Sequence, residues 1–183
     1  MQYLITGGSG SGKSEYAEGL SLSLAGKKRI YLATMRIWDR EGRARVQRHR
    51  RMRSGKGFYT AERYTDLASF SLSALPIAEQ WGSADGNTDA DVILLECMSN
   101  LTANEFYDRE EGAGERILSG IQHLRAQCRD LIIVTNEVFS DGTEYDGETE
   151  RYAALLGELN RMLGRESDVV VEVVFGIPVF VKR

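Results

Sequence analysis

The sequence predicts an α/β fold: a mostly parallel sheet covered by helices on both faces. Two observations predict it. Apolar runs of strand length recur at Tyr3-Leu4-Ile5, Arg29 to Thr34, Val92 to Leu95, Leu131 to Thr135 and Val169 to Val174. Segments of helical apolar spacing alternate with them. The runs are nearly continuous rather than alternating, as strands buried on both faces require. At 183 residues the chain suits one domain spanning 1–183.

Taken in order, the first strand runs into Gly7-Gly8-Ser9-Gly10-Ser11-Gly12-Lys13-Ser14, which has the phosphate-binding-loop (P-loop) spacing G-x-x-x-x-G-K-[ST]. An amphipathic helix with Ala17, Leu20 and Leu24 on one face follows it. The second strand covers 29–34. Residues 41–52 read as a very basic helix, and 63–80 as a helix through Tyr64, Leu67, Phe70 and Leu75. Residues 82–91 are a loop by composition. A strand at 92–95 ends at Glu96; a helix carries Ile117, Leu118, Ile121 and Leu124; a strand at 131–135 ends at Asn136-Glu137. Residues 139–149 form an acidic loop, and Tyr152, Leu155, Leu156, Leu159 and Leu163 mark the next helix. Val169 to Val174 and Val179 to Val181 close the chain as a hairpin turning at Gly176-Ile177-Pro178. In such a sheet ligands bind at the carboxyl ends of the strands, where the P-loop, Thr34, Glu96 and Asn136-Glu137 fall.

The P-loop carries the first chemistry. Its glycines let successive backbone N–H groups turn inward around a phosphate. Lys13 supplies charge for the β- and γ-phosphates, and the Ser14 hydroxyl is a ligand for Mg²⁺. The helix N-terminus adds partial positive charge. A second acidic group must stand at a strand end to organise the metal. Glu96 abuts its strand directly, and Glu137 stands two residues beyond the next; Glu96 is the favoured of the two.

Charge distribution adds a second feature. The net charge is −4, but Arg40, Arg43, Arg45, Arg48, Arg50, Arg51, Arg53 and Lys56 form one basic segment opposed only by Glu41. Without those nine residues the chain keeps 15 basic against 26 acidic residues, a net −11. One local anion partner fits this better than a nucleic-acid-coated surface. His49 lies inside the segment. Nearby positive charge disfavours its protonated form and keeps a nucleophilic nitrogen free. Arginines around it would neutralise a triphosphate under attack. These features suit a histidine attacking an α-phosphate, though a solvated basic helix with an incidental histidine fits the same residues. His123, among Leu118, Ile121 and Leu124 near a helix end, reads as a structural or exposed residue. Cys97 and Cys128 lack metal-ligand or redox spacing, and Cys97 reads as a buried inert thiol. No apolar run reaches membrane-spanning length and no signal peptide is apparent, so the expected location is the cytoplasm.

An ordered set of motifs then resembles one family, the bifunctional adenosylcobinamide kinase/adenosylcobinamide-phosphate guanylyltransferases of cobalamin biosynthesis. The set comprises Leu4-Ile5-Thr6-Gly7-Gly8, Ser11-Gly12-Lys13-Ser14, Tyr31-Leu32-Ala33-Thr34, Arg45-Val46-Gln47-x-His49, Thr60-Ala61-Glu62 and Ile93-Leu94-Leu95-Glu96-Cys97. It continues with Val134-Thr135-Asn136-Glu137-Val138, Gly157-x-x-Asn160 and Val173-Val174-x-Gly176-Ile177-Pro178. The resemblance implies a RecA-like P-loop fold and a chemistry in two halves: phosphorylation of adenosylcobinamide by a nucleoside triphosphate, then GMP transfer from GTP through a guanylylated histidine, here His49. It implies nucleotide contacts at Gly7 to Ser14, at Ala33, Thr34 and Met35, at Arg50, Arg51, Met52 and Arg53, and at Glu62 and Glu96. Lys13 and His49 would be catalytic, and Mg²⁺ would sit at Ser14 and Glu96. ATP and GTP would be substrates with a corrinoid, and the protein a homo-oligomer, trimeric by this resemblance. The chain departs from the family pattern at Met35, Asp39 to Gly42, Phe139 to Asp146 and Ala153-Ala154. Two other readings share these residues: a kinase-only enzyme acting on another small hydroxyl substrate, and a nucleotide-sensing or RNA-binding module that uses the basic helix.

Overall fold

A computed structural model of the chain describes residues 1–37, 47, 51, 54–81, 89–137 and 146–183. Among these, seven strands form one sheet: β1 (Gln2–Thr6), β2 (Arg29–Ala33), β3 (Phe58–Glu62), β4 (Ala90–Glu96), β5 (Cys128–Val134), β6 (Val169–Val174) and β7 (Ile177–Lys182). Their order is β3-β2-β4-β5-β1-β6-β7. All neighbours pair in parallel except β6 and β7, which form the expected closing hairpin.

Helices described along their whole length are α1 (Lys13–Ser23), α2 (Ala78–Trp81), α3 (Met98–Asp108), α4 (Ala113–Arg125) and α5 (Gly147–Glu166). Strand alternation divides the core in two. Leu4, Ile30, Leu32, Ile93, Leu95, Leu131 and Ile133 point to one face, where Leu101, Ile117, Ile121, Leu124, Leu156, Leu159 and Leu163 from α3, α4 and α5 cover them. Tyr3, Ile5, Tyr31, Val92, Leu94, Ile132, Val134 and Val171 point to the other, beneath Tyr16, Ala17, Leu20 and Leu24 at α1. Removing a Leu or Ile side chain of this kind from water contributes about 1.5–3 kcal/mol. The predicted arrangement of a mostly parallel sheet with helices on both faces is the observed one.

Five readings differ from the observed elements. The helix read over 63–80 is instead two 3₁₀ turns, Leu67–Ser69 and Leu72–Ala74, followed by the single turn of α2. Phe70, Ser71 and Leu75 are extended, and Pro76 disfavours helical geometry at Leu75 before it. Of the spaced residues, Leu67 and Phe70 are buried and Leu75 packs partly buried against the core, but they belong to a wrapped strap. Strand β3 and helix α3 were not expected. The loop read over 82–91 gives way to β4 at Ala90, with 82–88 outside the described residues. The acidic loop read over 139–149 yields to α5 at Gly147, whose Asp146 side chain caps the Thr149 N–H at 2.8 Å; 138–145 lie outside the described residues. Of the basic helix over 41–52, Gln47 and Arg51 are described, both helical and exposed.

Candidate functional site

The site forms where the strand ends meet α1. The P-loop threads from β1 into α1 with Gly7, Gly10 and Gly12 at φ +148°, +72° and +92°, a region that favours glycine. A Cβ on Gly7 would stand 2.5 Å from the Val173 carbonyl oxygen. The turn of the closing hairpin supports the loop from outside: the Gly176 N–H donates to the Ser11 carbonyl at 2.8 Å. Gly12 caps α1 without a side-chain hydrogen bond, so the orphan N–H groups and positive end of the helix dipole face the loop. This arrangement suits a bound phosphate.

Lys13 is only 8% exposed. Its Nζ donates to the Gly8 carbonyl at 2.9 Å, closing the loop on itself. Burial pushes the ammonium below the ordinary lysine range, while Cys97 and the Glu96 carboxylate nearby act the other way. A phosphate beside it would add a further counter-charge. The adjacent Ser14 hydroxyl donates to Glu96 Oε1 across the sheet. A hydroxyl and a carboxylate from separate elements form an oxygen pair that suits a hard cation such as Mg²⁺, which takes few protein ligands and the rest from phosphate and water. Among the described residues no group of three or more His, Cys, Asp or Glu side chains forms another metal site. Glu137, the other carboxylate considered, approaches the loop through its backbone, whose N–H donates to the Gly7 carbonyl at 3.4 Å.

Thr34 is fully buried. Its hydroxyl donates to the Cys97 carbonyl and accepts the Cys97 N–H, both at 2.8 Å, and its own N–H donates to the Glu96 carbonyl at 3.0 Å. Thr34 therefore holds the turn that presents Glu96. Ala33 pairs with Glu62 on one side and Glu96 on the other, so those two carboxylate-bearing strand ends straddle β2 with backbones about 10 Å apart. Glu62 is exposed and its Oε2 accepts the Tyr64 hydroxyl at 2.7 Å. Met35 is half-buried.

Cys97 is buried as expected, with Ser99 Oγ at 3.0 Å and Asn100 Nδ2 at 3.3 Å from its sulfur. Burial raises its thiol, with hydrogen bonds from Ser99 and from the Asn100 backbone opposing. Asn136 Nδ2 donates to Ser99 Oγ at 2.6 Å, and Asn160 on α5 donates to the Asn136 carbonyl at 3.2 Å. His123 is structural: its Nε2 lies 2.7 Å from the Phe70 carbonyl. His49, Arg50, Met52 and Arg53 lie outside the described residues.

The structure thus brings Gly7 to Ser14, Ala33 to Met35, Glu62 and Glu96 to one edge of the sheet. Sequence reasoning missed Tyr64, Ser99 and Asn104, which tie that edge together. The available signal was Ser99-Asn100-Leu101-Thr102-Ala103-Asn104-Glu105 directly after an apolar strand. Polar residues at those positions are bought into the interior by hydrogen bonds rather than by apolarity.

A P-loop on β1, a carboxylate on β4 and one strand inserted between them define a RecA-like P-loop nucleotide-binding fold. The chain belongs to the CobU family, cobinamide kinase / cobinamide phosphate guanyltransferase, whose model matches residues 3–181. It is accordingly a transferase of cobalamin biosynthesis that uses nucleotides. It is 30% identical to the bifunctional adenosylcobalamin biosynthesis protein CobU of Escherichia coli (strain K12), and 32% identical to the protein of the same name from Salmonella typhimurium (strain LT2). Both alignments cover 100% of each chain. Among solved structures, the flagellar accessory protein FlaH of Methanocaldococcus jannaschii aligns over 99% of this chain and 77% of that one, with a TM-score of 0.49 at 11% identity. Among the described residues no helix is long and apolar enough to cross a membrane.

Proposed function

We propose that this transferase carries out both half-reactions at the P-loop edge of the sheet: phosphorylation of the adenosylcobinamide hydroxyl, and GMP transfer from GTP through a guanylylated His49. The observation that carries the reading is the convergence of Lys13, Ser14 and Glu96 on one loop. In the kinase step the substrate hydroxyl attacks the γ-phosphorus, the bond to the β-phosphate oxygen breaks, and the nucleoside diphosphate leaves. Lys13 and the loop N–H groups hold and neutralise the phosphates in that step. Mg²⁺, held by Ser14 and Glu96, supplies charge neutralisation when bound. In the second half a ring nitrogen of His49 attacks the α-phosphorus of GTP and pyrophosphate leaves. The phosphate of adenosylcobinamide phosphate then displaces the histidine, giving adenosylcobinamide-GDP. Splitting the transfer through a covalent intermediate replaces one hard displacement with two easier ones.

Ala33 to Met35, Glu62 and Arg50 to Arg53 complete the nucleotide contacts in this reading, with Arg51 exposed on its helix. The enzyme works in the cytoplasm as a homo-oligomer, a trimer by family resemblance. The test uses GTP labelled at the α-phosphate. Wild-type protein with Mg²⁺ gains an acid-labile, base-stable label, and His49→Asn gains none. A wild type that takes up no label, or a His49→Asn protein that labels equally, removes the histidine from the mechanism. Lys13→Ala loses kinase turnover; unchanged turnover removes the P-loop role.

A further inference from the structure

Helix α3 turns an unusually polar face inward. Ser99, Thr102, Asn104 and Glu105 are buried alongside Met98, Leu101 and Phe106. Three of its side chains grip the segments leaving β2 and β3. Asn104 Nδ2 donates to the Thr34 carbonyl at 2.8 Å and to the Tyr64 carbonyl at 2.9 Å. Glu105 Oε1 accepts the Asp66 N–H at 2.6 Å, while its Oε2 accepts Arg116 Nε at 2.8 Å. Asp108 accepts both terminal nitrogens of Arg36, at 2.7 and 2.5 Å.

Asn104 is the central one. A side-chain amide has two N–H donors, and here each goes to a different strand outlet. The reversed amide would set its oxygen against both carbonyls, so the two acceptors fix its orientation. One of those carbonyls belongs to Thr34, whose side chain holds the turn after Glu96. The other belongs to Tyr64, whose hydroxyl holds Glu62. A single buried side chain thereby connects the backbone at Thr34 to the carboxylate of Glu62.

We infer that Asn104 is a positioning residue of the nucleotide site: it fixes the spacing of the β2 and β3 outlets and, through Tyr64, the aim of Glu62. This rests on the reading that Ala33 to Met35 and Glu62 contact the nucleotide. The wall for the nucleoside part of the triphosphate is then formed before the nucleotide arrives, so that binding does not have to order it. The phosphate cradle, made by β1 and α1, does not depend on this clamp.

The experiment separates the two parts of the ligand. In the full chain, Asn104→Leu removes both donors at similar volume, and Tyr64→Phe removes one hydroxyl. For each, kcat and KM for the nucleoside triphosphate are measured in the kinase reaction, together with inhibition by inorganic tripolyphosphate, which engages the phosphate cradle alone. The expected result is a KM raised about ten-fold in Asn104→Leu and about three-fold in Tyr64→Phe, with kcat and tripolyphosphate inhibition within about two-fold of wild type. A purely structural role would move both inhibition and kcat along with KM, and that result overturns the inference. So does a wild-type KM in the two variants. Where Asn104→Leu does not fold, Tyr64→Phe decides alone. A wild type with neither turnover nor tripolyphosphate inhibition removes the nucleotide-site reading and this inference with it, whereas unchanged variants of an active wild type remove the inference only.

Discussion

The Ser14 hydroxyl, in the first turn of α1, donates a hydrogen bond to the Glu96 carboxylate at the end of β4, 82 residues further along the chain. The fold makes the meeting possible because α1 packs across β5 and β4 as well as over its own strand. The bond holds in place the two oxygens that would organise Mg²⁺.

Glu96→Gln keeps the shape and a hydrogen-bond acceptor but removes the negative charge. The expected outcome is a Mg²⁺ requirement displaced upward and turnover lowered by about 100-fold, with nucleotide affinity changed far less. Initial rates measured against free Mg²⁺ check this. A Mg²⁺ dependence coincident with that of wild type removes Glu96 from metal organisation and returns Glu137 to consideration.

Thr34 and Cys97 make the next prediction. The Thr34 hydroxyl satisfies both the N–H and the carbonyl of Cys97 inside the protein. Thr34→Val retains the shape and leaves the buried Cys97 N–H without its partner, while the Cys97 carbonyl keeps the Leu101 N–H at 3.1 Å, a loss of about 2–3 kcal/mol. Thr34→Ser keeps the hydroxyl and sacrifices one methyl, a loss of about 1 kcal/mol. Urea unfolding of the two variants beside wild type measures the difference. Equal destabilisation by Ser and Val shows that the methyl matters and the hydroxyl bridge does not.

The same bridge shows why some of the protein was legible in its sequence and some was not. β1, β2, β4 and β5 announce themselves because both faces are covered, and β6 because five of its six residues are valine. β3 does not: it is an edge strand, and in Phe58-Tyr59-Thr60-Ala61-Glu62 only Ala61 is buried. α3 is hidden for the opposite reason, since its inward positions include Ser99, Thr102, Asn104 and Glu105, which periodicity counts as outward. The strap over 63–80 is misread because Tyr64, Leu67, Phe70 and Leu75 imitate helical spacing, while Pro76 and the extended residues before it set the backbone. Of the site, Gly7 to Ser14 and Glu96 could be placed from local pattern alone. Asn104 and Tyr64 could not, because their roles depend on contacts across sequence separations of 70 and 40 residues.

Gly7→Ala tests the seating of the P-loop against the closing strands. At φ +148° the residue is in a conformation that side chains rarely adopt, and the new Cβ would stand 2.5 Å from the Val173 carbonyl oxygen. That contact is with backbone, so relief requires moving the loop or the end of β6. The expected cost is about 2–4 kcal/mol in stability, together with loss of triphosphate binding. Gly8→Ala, where an added Cβ meets nothing within 4 Å, is expected to change stability by less than about 1 kcal/mol. Thermal unfolding of both variants checks the contrast, and equal effects at the two positions contradict it.

The buried thiols make stability fall at alkaline pH. Burial pushes Cys128 up to about 12, with the Arg125 guanidinium opposing, and its Sγ lies 3.4 Å from the Leu124 carbonyl, to which it donates. In the unfolded chain a cysteine loses its proton near pH 8.5. Between that value and about 12 the native state binds a proton that the unfolded state has released, so stability is complete below pH 8.5 and declines as pH rises, by about 1.4 kcal/mol per unit for this thiol. Lys13, lowered by burial, acts in the opposite sense, because there the unfolded state holds the extra proton up to the ordinary lysine range. Comparing wild type with Cys128→Ala cancels the lysine contribution, which both proteins share. The variant loses packing at pH 8 but escapes the alkaline penalty, so its stability relative to wild type improves by about 2 kcal/mol between pH 8 and pH 10. Urea unfolding at pH 8, 9 and 10 measures this. Parallel pH profiles for the two proteins would show that the Cys128 proton does not govern alkaline stability.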